Sequence, residues 1–238
     1  MAALRPYESR EFRRVTGPTL RPGGFALTER ALEVCELKTG MTVLDVGCGM
    51  GASVNRLSSG HGLKSLGVDA SFSLLRDSPE QNPSVMLING RAEALPFRDH
   101  AFDGVFCECV LSLLPDPLGA LNEFCQVLKS GGRLVITDIY ARLPEGALTL
   151  RPLGLNCCLK GIRSRGKMME EIERAGLQLL FWEDHSRLLK HLAAQIVFAY
   201  GSMKAFWAVF APECRTAVLD GAIAEAEPGY CLLVAQKC

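Results

Sequence analysis

The residues best suited to chemistry lie in a short glycine-rich stretch, residues 43–52, which reads VLDVGCGMGA. Gly47, Gly49 and Gly51 permit a tight turn and let the backbone approach a ligand closely. Gly47, Gly49 and Ala52 also fit the pattern G-x-G-x-x-G/A. That pattern alone predicts a nucleotide-like ligand of unspecified kind.

Two carboxylates flank this loop and narrow the ligand. Asp45 stands two residues before the first glycine, and Asp69 follows Gly51 by 18 residues. A carboxylate at Asp45 would repel a pyrophosphate, whereas it suits a ligand that carries an ammonium and a sulfonium. A carboxylate at the end of a second strand, such as Asp69, can accept both hydroxyls of a ribose.

The scaffold for these residues is an alternation of strands and helices. A helix is expected from Thr28, as its N-cap, to about Lys38, with Gly40 ending it. Such an alternation predicts a parallel sheet that is covered by helices on both faces. We expect strands at 41–46, 63–68, 84–89, 102–109 and 132–138, and helices at 52–59, from Ser71 onward and at 117–129.

The alternation ends after Asp138, and residues 1–25 are predicted to be loop-like. We treat residues 1–238 as a single domain whose parts differ in role. Later elements are expected as an irregular segment at 140–165, a helix at 167–175, a strand at 177–183, an apolar helix at 188–210 broken at Gly201, and a strand at 230–236. The parts are an N-terminal cap and first helix (1–40), a cofactor-binding core (41–139), a substrate-side cover with the sixth strand and the apolar helix (140–212), and a C-terminal strand (213–238).

Composition excludes several classes of function. The 26 basic and 26 acidic residues give a net charge of zero, without the basic excess that is typical of nucleic-acid binding. The sequence predicts neither a signal peptide nor a membrane span. Ten cysteines without a CxxC pair favour reduced thiols in the cytoplasm over disulfides, structural zinc or another metal site.

Five motifs in order carry a family resemblance: DVGCGMG (45–51), LGVD (66–69), AEALPF (92–97), FD (102–103) and LKSGGRL (128–134). Over about residues 21–140 they resemble the class I S-adenosylmethionine (SAM)-dependent methyltransferases of the type 11 group. The resemblance implies SAM as the cofactor and a Rossmann-like α/β fold. In that fold, a seven-stranded, mostly parallel sheet has the order 3-2-1-4-5-7-6, an antiparallel last strand and helices on both faces.

The resemblance also assigns the cofactor-binding residues by position. It places the methionine part at Asp45, Gly47, Cys48, Gly49 and Gly51, the ribose at Asp69 beside Ala70, the adenine at Arg91, Ala92 and Glu93, and a wall of the site at Cys107, Glu108 and Cys109. The family often has an aspartate where this chain has Arg91, so Glu93 or a backbone carbonyl would accept the adenine amino proton. Arg21 is either a partner of the cofactor carboxylate or a surface arginine in a turn.

No catalytic acid–base pair is predicted, since transfer from a sulfonium can rest on positioning and desolvation. The histidines are scattered, and His185 near the sixth strand is an outside candidate only. Residues 106–115, 137–145 and 156–159 are similar to arsenite methyltransferases, which bind trivalent arsenic through thiolates. That similarity makes Cys109 and one of Cys157 and Cys158 candidate substrate ligands. The alternative is that these thiols are small buried apolar side chains.

The main hypothesis is therefore a SAM-dependent methyltransferase that acts on a small molecule. The acceptor alternatives are a thiol-bound, arsenite-like metalloid and a hydrophobic, quinone-like molecule beside the apolar helix 188–210, for which burial in the core or a dimer interface is the other explanation. A homodimer is left open. The competing classes are an NAD-dependent oxidoreductase and a SAM-binding module without catalysis.

Overall fold

The computed structural model describes residues 6–79 and 85–238 and is built around one twisted sheet. Its main path has the order β3-β2-β1-β4-β5-β8-β7, and the two-residue strand β6 pairs with β5 off this path. The strands are β1 (Thr42–Val46), β2 (Lys64–Asp69), β3 (Met86–Asn89), β4 (Phe102–Glu108), β5 (Leu128–Ala141), β6 (Arg163–Ser164), β7 (Leu177–Asp184) and β8 (Pro228–Lys237).

Helices cover the sheet. They are α1 (Arg10–Thr16), α2 (Ala26–Cys35), α3 (Ala52–His61), α4 (Phe72–Arg76), α5 (Pro117–Val127), α6 (Pro144–Leu150), α7 (Arg165–Arg174), α8 (Ser186–Tyr200), α9 (Met203–Phe210) and α10 (Thr216–Ala226). Apolar residues separate into two buried clusters that include opposite sides of the same strands, Val43 and Phe106 in one and Leu44 and Val105 in the other. This two-sided burial is what a sheet covered by helices requires.

The predicted sheet is confirmed. Strands β1 to β5 pair in parallel, and β8 pairs antiparallel with both β5 and β7. With the short β6 set aside, the order is the expected 3-2-1-4-5-7-6. Seven residues of β8 are fully or nearly fully buried, so this strand is a central element of the core even though it comes last in the chain.

The N-terminal segment differs from the loop expected over residues 1–25. Within it α1 forms, because the side chain of Ser9 caps the helix by accepting a 3.2 Å hydrogen bond from the Phe12 amide. Phe12 is buried against Phe206 and Phe210 of α9. The N-cap assigned to Thr28 is wrong, since α2 starts at Ala26 and the Thr28 hydroxyl is buried inside the molecule.

Besides α1, two more helices lie where the sequence predicted none. α6 falls within the segment 140–165 that was expected to be irregular, and α10 falls within the region assigned to a strand alone. They pack on each other so closely that a Cβ at Gly146 would overlap the backbone of Glu225 and Ala226. The strand predicted from Ser84 is described from Met86, and Ser84 itself lies outside the described residues.

The apolar stretch 188–210 forms two helices, α8 and α9, with Gly201 in the left-handed region between them. Phe206, Trp207 and Phe210 are buried in the core, whereas Phe198 on α8 is 94% exposed. Among the residues described, no single helix is both long and apolar enough to cross a membrane. α8 and α9 meet those criteria only when taken together, and they are bent by 83° at the break.

The close contact between α6 and α10 generates a stability prediction. Gly146→Ala should lower the free energy of unfolding by about 1–3 kcal/mol, because the added methyl group overlaps a neighbouring backbone. Gly221→Ala is the control, since this helical glycine on α10 has open space around it and should gain about 0.5–1 kcal/mol. Urea unfolding followed by circular dichroism measures both, and equal stability of the two variants would contradict the packing described.

Candidate functional site

The glycine loop lies where the chain connections reverse direction across the sheet, between β1 and its neighbour β4. The amides of Gly47 and Cys48 both donate to the carbonyl of Val68, at 2.7 and 3.1 Å. Gly47, with φ at 77°, leaves no space for a side chain, because a Cβ there would overlap Val110. Open parallel sheets bind ligands at this kind of switch point.

Asp69 holds the loop against the end of β2. Its Oδ2 accepts a 2.7 Å hydrogen bond from the Gly49 amide, and its Oδ1 accepts one of 2.7 Å from the Ser71 amide. The side chain is half-buried and lines the same cavity as Ala70. The position that was predicted to bind a ribose therefore also fixes the shape of the glycine loop.

Asp45 is a buried carboxylate that faces the cavity. Its residue is 3% exposed, and among the residues described none donates a hydrogen bond to the carboxylate. Burial raises the pKa of Asp45 to about 8, and repulsion by Glu108 adds to the shift while Arg21 opposes it. A buried carboxylate without a donor is costly, so this position favours a ligand that brings a positive charge.

Arg21 and Glu108 form a buried ion pair beside Asp45. Their side chains are 4% and 1% exposed, and Arg21 Nη2 lies 2.9 Å from Glu108 Oε2. Arg21 Nη1 donates to the Ser53 hydroxyl at 3.0 Å, and Nη2 donates to Thr28 at 2.6 Å. Arg21 is therefore not a surface residue. Its guanidinium already binds Glu108, so a cofactor carboxylate would have to share it, and both Arg21 and Glu108 line the cavity.

Glu93, one of the two acceptors that the sequence offered, lines the cavity beside Ala92. Arg91 is largely exposed and lies 3.6 Å from Glu93 Oε2, while the backbone pairs Arg91 with Ala94. Glu93 Oε1 is buried and has no hydrogen-bond partner among the described residues, and Ala92 is buried as well. An unpaired acceptor at this position suits the amino group of a purine.

One cavity of about 410 Å³ joins these residues. Its cofactor half contains the predicted residues Arg21, Asp45, Gly47, Cys48, Gly49, Asp69, Ala70, Arg91, Ala92, Glu93 and Glu108. Three predicted residues lie outside the lining. Gly51 caps α3, Cys158 lies behind Cys157, and Cys107 is fully buried in the core on the other side of β4. The expected contact of Cys107 with the cofactor is therefore corrected.

The acceptor half of the cavity, as we call it, is the part lined by Tyr7, Cys109, Val110, Ser112, Leu155, Asn156, Cys157 and Lys160. Sequence reasoning selected only the cysteines among these residues. Tyr7, Leu155 and Lys160 come from segments without a clear period, so no pattern marked them. Asp138 fixes Ser112 in this wall by accepting hydrogen bonds from its amide at 2.8 Å and its hydroxyl at 2.6 Å.

Cys109 has an unusual backbone at the end of β4. Its φ is +60°, which costs free energy for a residue with a side chain, and its amide donates to the Thr137 carbonyl at 2.6 Å. Its thiol lies 2.9 Å from the Tyr230 hydroxyl, and burial raises the pKa of that thiol. Such an outlier beside a cavity is a sign of a functional position.

The histidines are not among the lining residues of this cavity. His185 Nε2 lies 2.9 Å from Glu183 at the end of β7, and Glu183 is also bound by Arg30 at 3.1 Å. Within the described ranges, no group of three or more His, Cys, Asp or Glu side chains is arranged to hold a metal ion. The acceptor half thus presents thiols and hydroxyls rather than imidazoles.

Sequence comparison finds similarity to methyltransferases. Residues 44–136 match the family model described as a methyltransferase domain. The chain is 26% identical over 84% of its length to phosphoethanolamine N-methyltransferase 1 of Triticum aestivum, of which it covers 41%. It is 28% identical over 76% of its length to methyltransferase GfsG of Streptomyces halstedii, of which it covers 68%. It therefore spans less than half the length of the first of these two relatives.

Two solved structures show the same fold. The [4+2]-cyclase SpnF has a TM-score of 0.77 and 24% identity, over 98% of this chain and 93% of that one. CrArsM, an arsenic (III) S-adenosylmethionine methyltransferase from Chlamydomonas reinhardtii, has a TM-score of 0.58 and 21% identity, over 84% of this chain and 64% of that one.

The raised pKa of Asp45 generates a pH prediction. Below about pH 8 the ligand-free carboxyl is mostly protonated, so binding of an ammonium must first ionise it. The affinity for S-adenosylhomocysteine should therefore rise between about pH 6.5 and pH 8, by up to about tenfold per pH unit. Calorimetry at a series of pH values measures this rise.

Asp45→Asn should bind S-adenosylhomocysteine more weakly and lose most of the rise with pH. Asp220→Asn is the matched control, because Asp220 is exposed on α10. A wild-type affinity that stays flat over this range would show that Asp45 does not titrate as its surroundings indicate.

Proposed function

We propose that this protein, as a class I SAM-dependent methyltransferase, transfers the methyl group of SAM to a small molecule held in the acceptor half of the cavity. The observation that carries the proposal is Asp45, a buried carboxylate that faces the cavity without a donor among the described residues. A cationic ligand satisfies it, whereas the pyrophosphate of a dinucleotide would be repelled. This charge arrangement supports a methyltransferase over the NAD-dependent alternative.

The residues of the cofactor half fit SAM in kind and in position. Asp45 would hold the ammonium, Asp69 the ribose hydroxyls, and Glu93 the adenine amino group. The glycine loop would let the backbone approach the methionine part, since a side chain at Gly47 would already overlap Val110. When bound, SAM supplies an electrophilic methyl group on a sulfonium.

The protein's part in the transfer is to orient the acceptor and exclude water. Val110 and Leu155 give the acceptor half apolar walls, while Tyr7, Cys109 and Lys160 offer polar groups at defined places. In-line displacement gains most of its rate from such positioning and desolvation. A nucleophile that has no proton to lose, such as a thiolate or a trivalent metalloid, would need no protein base.

A binding and transfer experiment tests this function. Calorimetry should show one SAM or S-adenosylhomocysteine per chain and no comparable binding of NAD. Gly47→Ala should abolish the binding, because the new methyl group meets Val110 and φ is 77°. Gly154→Ala is the control, since Gly154 also has a positive φ, of 64°, but has open space around it and lies outside the cavity lining. Binding of NAD in preference to SAM would overturn the proposal.

The transfer itself is tested separately, because a cyclase shares this fold and fold alone does not decide the reaction. Methyl-labelled SAM is incubated with a panel of thiols, amines, phenols and quinols, and labelled products are counted. Labelled product that disappears in Asp45→Asn supports the transferase. Cofactor binding without product across the panel would favour the non-catalytic module.

A soft, thiol-bound acceptor is the second candidate function. Cys109 and Cys157 both line the acceptor half, and thiolates are the preferred ligands of soft ions. The quinone-like alternative has less support, since α8 and α9 contribute no residue to the cavity lining.

The free thiols of all ten cysteines also favour a reducing compartment such as the cytoplasm.

Inorganic arsenite is the probe for this candidate. Cys109→Ser and Cys157→Ser should each weaken arsenite binding at least about tenfold, which corresponds to the loss of one soft ligand. Cys214→Ser should leave it unchanged, because Cys214 lies outside the cavity. Calorimetry gives the affinities, and wild-type binding in both cavity variants would remove this candidate.

A further inference from the structure

Two phenols and three thiols lie at or beside the acceptor half. The Tyr7 hydroxyl accepts a 3.1 Å hydrogen bond from the Cys158 amide. Cys158 follows Cys157 directly in the chain, and Cys157 and Cys109 both line the cavity. Cys109 in turn lies 2.9 Å from the Tyr230 hydroxyl. These groups come from segments far apart in the chain, so the fold has brought them together.

The adjacent pair Cys157 and Cys158 is asymmetric. Side chains of neighbouring residues in an extended segment point to opposite faces, yet here a 3-10 turn starts at Cys158, so the chain is not extended through the pair. Cys157 lines the cavity, whereas Cys158 lies outside the lining and its amide donates to the Tyr7 hydroxyl. The first thiol is thus open to small molecules, and the second is held next to it.

The two thiols also differ in acidity. Interaction with the Cys158 side chain lowers the pKa of the Cys157 thiol, with help from the Leu159 amide, whereas interaction with Cys157 and burial raise the pKa of the Cys158 thiol. A thiol with a lowered pKa that a small molecule can reach is the one that oxidants attack. A second thiol within reach then closes the disulfide.

We propose that Cys157 and Cys158, two adjacent cysteines at the cavity wall, are a reversible oxidation site, at which a peroxide converts their thiols into a disulfide between neighbouring residues. The Cys157 thiolate attacks a peroxide oxygen, so that an S–O bond forms, the O–O bond breaks and hydroxide leaves. The Cys158 sulfur then attacks the Cys157 sulfur, forming the S–S bond. The S–O bond breaks, and its oxygen leaves as water with the Cys158 proton. Two thiols lose two electrons in total, and the peroxide is reduced to water.

The oxidised pair would change the acceptor half and spare the cofactor half. A disulfide removes the thiol that faces the acceptor and alters the turn whose Cys158 amide donates to Tyr7, a residue of the N-terminal segment. Asp45, Asp69 and Glu93 contact neither cysteine in any described hydrogen bond or ion pair. A disulfide between adjacent residues is strained, because their Cα atoms are about 3.8 Å apart, and strain makes it easy to reduce. The effect on transfer rests on the proposed function, whereas the oxidation itself does not.

Peptide mapping tests the site without any assay of activity. Trypsin releases residues 143–160, in which Cys157 and Cys158 are the only cysteines, and residues 99–129, which carry Cys109. Mild hydrogen peroxide should remove two hydrogen atoms from the mass of peptide 143–160, and dithiothreitol should restore them. Cys157→Ser should prevent the change, and Cys158→Ser should leave a sulfenic acid on Cys157 that dimedone traps. Cys214→Ser is the control and should oxidise as the wild type does.

Three results would overturn the proposal. They are a peptide 143–160 that stays reduced while Cys238 or Cys214 oxidises, a disulfide that joins peptides 143–160 and 99–129, and a dimedone adduct on Cys158 instead of Cys157.

The affinity of the oxidised protein for S-adenosylhomocysteine should stay within about twofold of the reduced value, because the cofactor half is untouched. A large loss of that affinity would contradict the confinement to the acceptor half. If the disulfide forms but no transfer is found in either state, the oxidation site stands and the proposed function fails.

Discussion

The structure depends on how three buried charges are held at the carboxyl ends of β1 and β4. Glu108 and Arg21 neutralise each other, and Thr28 and Ser53 fill part of the remaining hydrogen-bonding capacity. Asp45 is the ionisable group without a partner among the described residues, and burial, with repulsion by Glu108, raises its pKa to about 8. Breaking a buried pair by removing one partner is strongly destabilising. The pair therefore fixes the parts of the molecule that supply it, while Asp45 stays available for a ligand.

This constraint explains the course of the N-terminal segment. Arg21 binds Glu108 of β4, so the chain before α2 runs along the cavity and contributes to its lining. Further contacts hold it there: Arg13 pairs with Asp77 at 3.0 Å, and Glu8 accepts a 2.7 Å hydrogen bond from Ser71. The same segment brings Tyr7 to the acceptor half. The N-terminal segment thus contributes to both halves of the cavity, with Arg21 in the cofactor half and Tyr7 in the acceptor half.

The cofactor half was predictable because its residues are local in the sequence. Asp45 and the glycines lie within one strand and one turn, and Asp69 ends the next strand, so pattern and spacing suffice to place them. Glu93 shows where local reasoning stops. The sequence offered Glu93 or a backbone carbonyl in place of an aspartate, and only the folded chain shows that Glu93 Oε1 is buried without a partner in the part of the chain that the structure describes. Cys107 was misplaced because adjacent residues of β4 face opposite sides of the sheet, so it points into the core while Glu108 lines the cavity.

The acceptor half was not predictable for a different physical reason. Its walls come from short irregular pieces, such as the segment around Tyr7 and the turn at Cys158, which pack against the same buried apolar cluster. Such pieces carry no hydrophobic period, so nothing in the sequence indicates which side chains will meet. This also explains why one fold can serve different acceptors. The parallel strands and the charges at their ends maintain the cofactor half, and the turns that line the acceptor half can change without disturbing them. Here those turns contribute two adjacent cysteines, one of which binds an N-terminal phenol through its amide, so the chemistry specific to this chain is concentrated in the part of the site least constrained by the sheet.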